Sequence, residues 1–324
     1  MNIVRVFELA SKFAARTPEP IARGVFDVVG TIAGYSSIKG VKQLRKNLNR
    51  VTPLKSGFAQ RRRSAKAMRS YLSYYYEVFL LPSLTHEQIL ARVTIENDAE
   101  LRARFADGQA VPAALMHMGN WDLAGAWANI DLAPVFTIAE KLEPQELADQ
   151  YLEFREGLGM KIYLAVKGGG AIGHLTEDMA SGPRLMPILC DRDLSRSGIE
   201  VEIAGHKARI AVGASLLSQR TGTPMYPITI VRDTVATEKR KAAGSKHGIK
   251  ILVGDAIFPK VAPDAPEDER EADLIRMNQD WQDQITGALK AHLTDWHMLQ
   301  KVFVDDLDQA RLAASREAGR EETA

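Results

Sequence analysis

The chain has 324 residues, 45% apolar and 26% charged, which excludes a disordered or fibrous protein and leaves ample material for a core. A formal net charge of +1 conceals a division: residues 1–70 hold 15 Lys/Arg against 3 Asp/Glu, and residues 71–324 hold 27 against 38. A basic front of this kind attracts phosphate-bearing partners, either nucleic acid or an anionic membrane.

Four helical patterns are predicted in the first eighty residues. Ile3, Phe7, Ala10 and Ala14 repeat at helix spacing until Thr17-Pro18 stops them. A second helix runs from Pro20 to about Ile32, with Ile21, Val25, Val28, Val29 and Ile32 apolar. The third, from about Ile38 to Val51, turns Val41, Leu44 and Leu48 inward. The fourth, from about Phe58 to Leu81, carries Arg61-Arg62-Arg63, Lys66 and Arg69 and then the aromatic run Tyr71–Phe79, read as core or as an acyl-chain groove. No apolar run reaches the roughly 18–20 residues that span a bilayer, and the N-terminus lacks the apolar region and cleavage site of a secretory signal.

From residue 110 short apolar runs alternate with helical patterns. Strands are predicted at Val111–Met116, Val135–Ala139, Lys161–Val166, Leu185–Cys190, Gly198–Ile203, Met225–Val231 and Ile249–Val253. Helices are predicted at Trp121–Ile130, Pro144–Gly157, Ile172–Ala180, Val212–Thr221 and Leu274–Leu293. This alternation implies an α/β fold, a mixed and substantially parallel sheet flanked by helices. Residues 1–82 read as basic amphipathic helices leading into the core, 83–308 as the α/β core, and 309–324 as a polar tail. The single cysteine, Cys190, excludes an intrachain disulfide or a multi-cysteine metal site and points to a reducing compartment. Gly168-Gly169-Gly170 lacks the Lys-Ser/Thr of a phosphate loop and reads as a connection. His174, His206, His247 and His292 have no metal-ligand spacing, and His297 reads as packing.

The sharpest feature is His117-Met118-Gly119-Asn120-Trp121-Asp122. A histidine ends a strand, and an acid five residues later sits in the first turn of a helix. On one straight helix the two would lie about 140° apart, but a bend at Gly119-Asn120 lets them meet. The acid then holds one ring nitrogen and the other takes a proton from a hydroxyl. The amides at the start of the helix would face a developing oxyanion. No serine or cysteine stands nearby in a nucleophile elbow, which favours direct transfer over a covalent route.

HMGNWD resembles the HX4D block of the glycerolipid and lipid A acyltransferase superfamily. The stretches at residues 151–159 (YLEFREGLG), 191–203 (DRDLSRSGIEVEI) and 295–299 (DWHML) resemble three further blocks, and the N-terminal pattern also fits. Together they are most similar to the actinobacterial phosphatidylinositol mannoside acyltransferases. The resemblance implies that His117 deprotonates a mannose hydroxyl, at the 6-position, which attacks the thioester of a long-chain acyl-CoA. It implies that Asp122 orients His117, with no metal or cofactor beyond acyl-CoA as cosubstrate. Asp191 matches the acid opening the third block, where a family member has Glu, and would accept a hydrogen bond from the histidine or from the sugar. Arg155 would anchor the acceptor head group or brace Asp191, and is equally read as a structural salt bridge. Glu140 matches an acid beside the acceptor, and Arg192 belongs with it; taken alone, Asp191-Arg192-Asp193 is a solvated charged loop.

The resemblance further implies partners: acyl-CoA, an anionic mannosylated phosphoinositide acceptor and an anionic membrane surface, with no nucleic acid. The expected location is the cytoplasmic face of the plasma membrane, held peripherally. The rival readings are an acyltransferase with a lipid A-type or other glycerolipid acceptor, and a non-catalytic membrane- or nucleic-acid-binding protein.

Overall fold

The first eighty residues form α1 (Ile3–Arg16), α2 (Glu19–Tyr35), α3 (Lys39–Val51) and α4 (Gly57–Leu80). The computed structural model describes residues 3–140, 144–165, 170–193 and 198–308. Gly168-Gly169, the Leu194–Arg196 part of the third block and the tail from 309 lie outside these residues. In α3 the buried residues include Val41, Leu44 and Leu48, as the spacing predicts.

Helix α2 is turned differently from what its apolar row suggests. Its buried residues are Ala22, Arg23, Gly30 and Gly34, while Ile21, Val25, Val28, Val29 and Ile32 are exposed. The two glycines decide this. A Cβ at Gly34 would stand 2.3 Å from Ala65 Cα, and one at Gly30 2.8 Å from the Met68 carbonyl oxygen. Backbone-to-backbone approach to α4 therefore fixes the face, and the aliphatic row is left outward. Part of the basic charge is structural: Arg45 donates to the carbonyls of Gly34 and Ser36, and Arg61 to that of Tyr35, closing the end of α2. Arg62, Lys66 and Arg69 are exposed on α4.

The chain continues through α5 (His86–Ala91), β1 (Val93–Glu96), α6 (Ala99–Ala106), β2 (Ala110–Leu115), α7 (Trp121–Asp131), β3 (Phe136–Glu140), α8 (Gln145–Gly157), β4 (Lys161–Ala165) and α9 (Ala171–Asp178). Then follow β5 (Arg184–Leu189), β6 (Ile199–Ile203), β7 (His206–Ile210), α10 (Gly213–Thr221), β8 (Tyr226–Thr234), α11 (Arg240–Ala243), β9 (His247–Val253) and α12 (Glu267–Ala291). The elements α5, β1, α6, β7 and α11 are additions to the sequence reading. Helix α5 is only six residues long and is started by a capping box between Thr85 and Gln88. Strand β7 returns from β6 through Ala204-Gly205, both at positive φ.

The main sheet has the order β1-β9-β8-β2-β5 and is parallel except for the β8–β9 pair. The parallel β3–β4 pair continues it beside β5 through a bridge from Val135 to Leu185. Strand β2 is buried along its whole length and alternates between two cores. Ala110 and Ala114 enter one with α3, α10, α12 and the chain around Trp296; Val111, Ala113 and Leu115 enter the other beneath α7. Among the described residues no helix is long and apolar enough to cross a membrane.

Candidate active site

Strands β2, β3 and β5 run parallel, so their carboxyl ends share one edge, where open α/β sheets place ligand sites. His117 stands just past β2. The chain then turns at Gly119, whose φ is +66° and where a Cβ would lie 2.5 Å from the Ile230 carbonyl oxygen, so glycine is required on two counts. Asn120 caps α7 by accepting from the Leu123 amide at 2.9 Å. The turn is clamped by the segment around Trp296. Gly119 N–H donates to the Asp295 carbonyl (3.0 Å) and His297 N–H to that of His117 (2.8 Å), a register that sets His297 opposite His117.

The imidazole of His117 is held by Asp191. Its Nδ1 lies 2.6 Å from Asp191 Oδ1, while the His117 amide (3.1 Å) and the Trp296 indole N–H (2.8 Å) both donate to Oδ2. Asp191 is fully buried. Burial alone would raise its carboxyl, but the charge of His117 and these hydrogen bonds hold it below the usual carboxylate range. With Nδ1 engaged, Nε2 is the ring nitrogen left for substrate.

Asp122 does not meet this imidazole. It is buried in the first turn of α7, where Arg155 Nε donates to Oδ1 at 2.6 Å and the Tyr74 hydroxyl to Oδ2 at 2.7 Å. The expectation that Asp122 orients the ring is corrected: the bend and the helix start form as the motif predicts, but the neighbouring strand β5 delivers Asp191 to the ring first, through Cys190 N–H on the Leu115 carbonyl. Arg155 likewise braces Asp122 rather than Asp191. Removing one member of such a buried pair leaves the other uncompensated, at a cost of about 3–5 kcal/mol. Asp122→Ala and Arg155→Ala should therefore each lower the melting temperature, and the double variant should lose less than the sum of the two. Additive losses would show that the pair is not coupled.

Glu140, at the end of β3, and Arg192, after β5, face each other at 3.5 Å, with Glu140 largely exposed. Their pairing places both at the same sheet edge as His117.

Four residues that the sequence reading did not single out as site residues also stand here. Tyr74 and Ser70 come from α4, and Trp296 and His297 from the C-terminal block. His297 is buried, with Nε2 3.0 Å from Ser70 Oγ, and Ser70 donates its single proton to Asp295 Oδ1 at 2.9 Å. The serine can then only accept from His297 Nε2–H, which leaves Nδ1 as a bare acceptor without a protein partner. Burial, aided by Arg232 and His117, pushes this imidazole down to about 3 from its ordinary 6.5. The unfolded chain therefore takes up the proton first, and stability is lost progressively as pH falls from about 6.5 to about 3. Melting temperatures should fall between pH 7 and pH 5, and His297→Gln should flatten that fall; an unchanged slope would remove His297 as its source.

An apolar cavity lies between α7 and the sheet. Trp121, Asp122 and Arg155 stand at one end and the aliphatic side chains of β2, β5, β8 and β9 form its floor. A sequence model of bacterial lipid A biosynthesis acyltransferases matches residues 9–304. The chain belongs to this acyltransferase family. The chain is similar to the phosphatidylinositol mannoside acyltransferase of Mycolicibacterium smegmatis, 28% identical over 91% of this chain and 90% of the relative. The protein of the same name from Mycobacterium tuberculosis strain H37Rv is 28% identical over 92% and 88%, and that from strain CDC 1551 is 29% identical over 92% and 88%. In this family member the motif histidine is thus paired with an acid from the third block, and the motif acid with the arginine of the second.

Proposed function

We propose that this acyltransferase moves a long-chain fatty acyl group from acyl-CoA to a mannose hydroxyl, the 6-position, of a phosphatidylinositol mannoside. The observation that carries the reading is the His117–Asp191 pair at one sheet edge with an apolar cavity beside it. Nε2 of His117 takes the hydroxyl proton as the oxygen attacks the thioester carbonyl. The tetrahedral oxyanion collapses, the C–S bond breaks, and coenzyme A leaves with the proton from the imidazolium. Asp191 keeps the ring oriented and stabilises its charged form. The amides opening α7 serve the oxyanion, and the cavity takes the acyl chain. Glu140, Arg155 and Arg192 serve the acceptor side, with Arg155 acting through Asp122. The mannosylated acceptor is supported by the names of the three relatives, and the chemistry by the site. The test is acyl transfer from labelled palmitoyl-CoA by the purified protein, offered mannosylated phosphatidylinositol, a lysophospholipid and a lipid A precursor in parallel. Label on the first supports the reading; label on another acceptor alone overturns the mannoside assignment.

The acceptor is a membrane lipid, and the exposed row on α2 suits a leaflet. Ile32 is 68% and Val28 58% exposed, and both share the surface of the helical front with Arg62, Lys66 and Arg69 of α4. Each such cation near an anionic surface contributes about 1 kcal/mol, enough with the aliphatic row for peripheral docking on the cytoplasmic face. The protein should bind vesicles containing phosphatidylglycerol, less tightly as salt rises, and the double variant Val28→Glu, Ile32→Glu should bind weakly. Salt-insensitive binding, or full binding by the variant, would contradict this docking.

A further inference from the structure

Helix α4 grips the catalytic turn at a second point, which the proposed chemistry leaves unused. Tyr74 donates to Asp122, and Glu77, three residues further along the same face of α4, accepts from Asn120 Nδ2 at 2.9 Å. Asn120 is 1% exposed and caps α7 through its side-chain oxygen. A carboxylate only accepts, so Glu77 takes the nitrogen end of the carboxamide and keeps the oxygen end on the Leu123 amide. The cap cannot turn over without losing both hydrogen bonds. The amides of Trp121 and Asp122, which open the helix ahead of Leu123, are those that the proposed reaction aims at the oxyanion.

Glu77 is itself held from α2. Arg23 Nη1 donates to Glu77 Oε1 at 3.0 Å, so each carboxylate oxygen has a donor of its own. Arg23 Nε donates to Glu19 Oε1 at 2.6 Å, and the same oxygen accepts from Ser245 Oγ at 2.7 Å. The Ser245 hydroxyl accepts in turn from the His247 amide, the first of β9. The guanidinium is 7% exposed and lies 4.8 Å from the centre of the Tyr76 ring. A buried arginine on the inner side of α2, away from the outward aliphatic row, therefore anchors a chain of charge-assisted bonds that reaches the histidine motif. A buried ion pair is often no more stabilising than apolar packing, so its place beside the motif asks for a reason in the site.

We infer that Glu77, held by Arg23, is a positioning residue for acyl transfer that fixes the Asn120 cap and with it the amides opening α7. This rests on the acyl-transfer reading and names what keeps its oxyanion donors in place. Glu77 acts through Asn120 and has no need to touch substrate.

The test exchanges donor and acceptor across the Asn120–Glu77 bond. In Glu77→Gln the new NH2 group must face either Asn120 Nδ2 or Arg23, a donor against a donor. In Asn120→Asp two carboxylates meet. In the double variant Asn120→Asp, Glu77→Gln the amide at position 77 donates to the carboxylate at position 120 while its oxygen accepts from Arg23, and aspartate caps a helix as well as asparagine does. The readouts are kcat and KM for transfer from labelled palmitoyl-CoA to mannosylated phosphatidylinositol, with thermal melts, for the wild type, both single variants and the double variant. Glu77→Gln alone should lower kcat by about 10- to 100-fold, the cost of a small misplacement at the reacting centre, with both KM values little changed. In the Asn120→Asp background the same substitution should raise kcat. General damage cannot reverse the sign of one substitution. A fall in kcat in both backgrounds, no fall in the wild-type background, or a reversal in melting temperature with kcat unmoved would overturn the positioning role while leaving acyl transfer standing. If the wild type transfers no label, the acyl-transfer reading fails and the positioning role with it.

Discussion

Replacing His117 by alanine is expected to lower acyl transfer by about 10²–10⁴-fold, the range of a general base, with little change in the fold. The imidazole is one-third exposed, and its side-chain hydrogen bond among the described residues is the one to Asp191. Asp191 keeps two donors when the ring is removed, since the His117 amide and the Trp296 indole bind it independently of that side chain. The buried carboxylate is therefore not orphaned, and the far-ultraviolet spectrum should match that of the wild type. Transfer at the wild-type rate would remove His117 from the chemistry.

Asp191→Asn should be nearly as damaging, for a different reason. The carboxylate accepts at both oxygens, from His117 Nδ1–H on one side and from the His117 amide and the Trp296 indole on the other. An amide of the same shape has one accepting end and one donating end. Facing the ring with its NH2 group forces the proton onto Nε2, the nitrogen that must accept from substrate. Facing the ring with its oxygen turns the NH2 group toward two other donors. In either arrangement the charged imidazolium loses its counter-charge. The rate should fall by about 10²–10⁴-fold with the acceptor's KM little changed, because the loss lies in proton transfer rather than in binding. Activity close to that of the wild type would assign orientation of the ring elsewhere.

The contrast between the two acids shows which parts of the site a sequence displays. His117, the glycine turn and the start of α7 at Trp121 are contiguous, and local rules place them: glycine for the positive φ, asparagine for the cap. The partner of the ring is 74 positions away and becomes visible only when β5 is laid beside β2. Spacing along the chain favoured Asp122 because it was near, whereas hydrogen bonding across parallel strands decided for Asp191. Resemblance to a family raised Asp191 and Arg155 as site residues but left their partners open, and packing resolved them into two separate pairs. Ser70 carried no signal of its own, and His297 read only as packing within the resembling C-terminal block, since their pairing arises from α4 meeting that block.

The architecture was legible wherever elements were long and periodic. Strand β2 and helix α7 fall within a residue of their expected limits, and α3 buries the predicted face. The four-residue β1 and six-residue α5 are too short for periodicity to register. Helix α2 shows the limit of the apolar pattern. Its aliphatic row would ordinarily mark the buried side, but glycines at positions 30 and 34 allow a closer contact on the other face, and the row becomes surface. The proposed membrane docking rests on that outward row and not on the charge division alone.

The central claim is that His117 drives acyl transfer from acyl-CoA to a mannosylated phosphoinositide. It is tested most directly by incubating purified wild-type and His117→Ala protein with radiolabelled palmitoyl-CoA and vesicles carrying phosphatidylinositol mannoside, then counting label in the extracted lipid. Label in the mannoside with the wild type and almost none with the variant is the expected result. No label with the wild type, or equal label with both proteins, would contradict it.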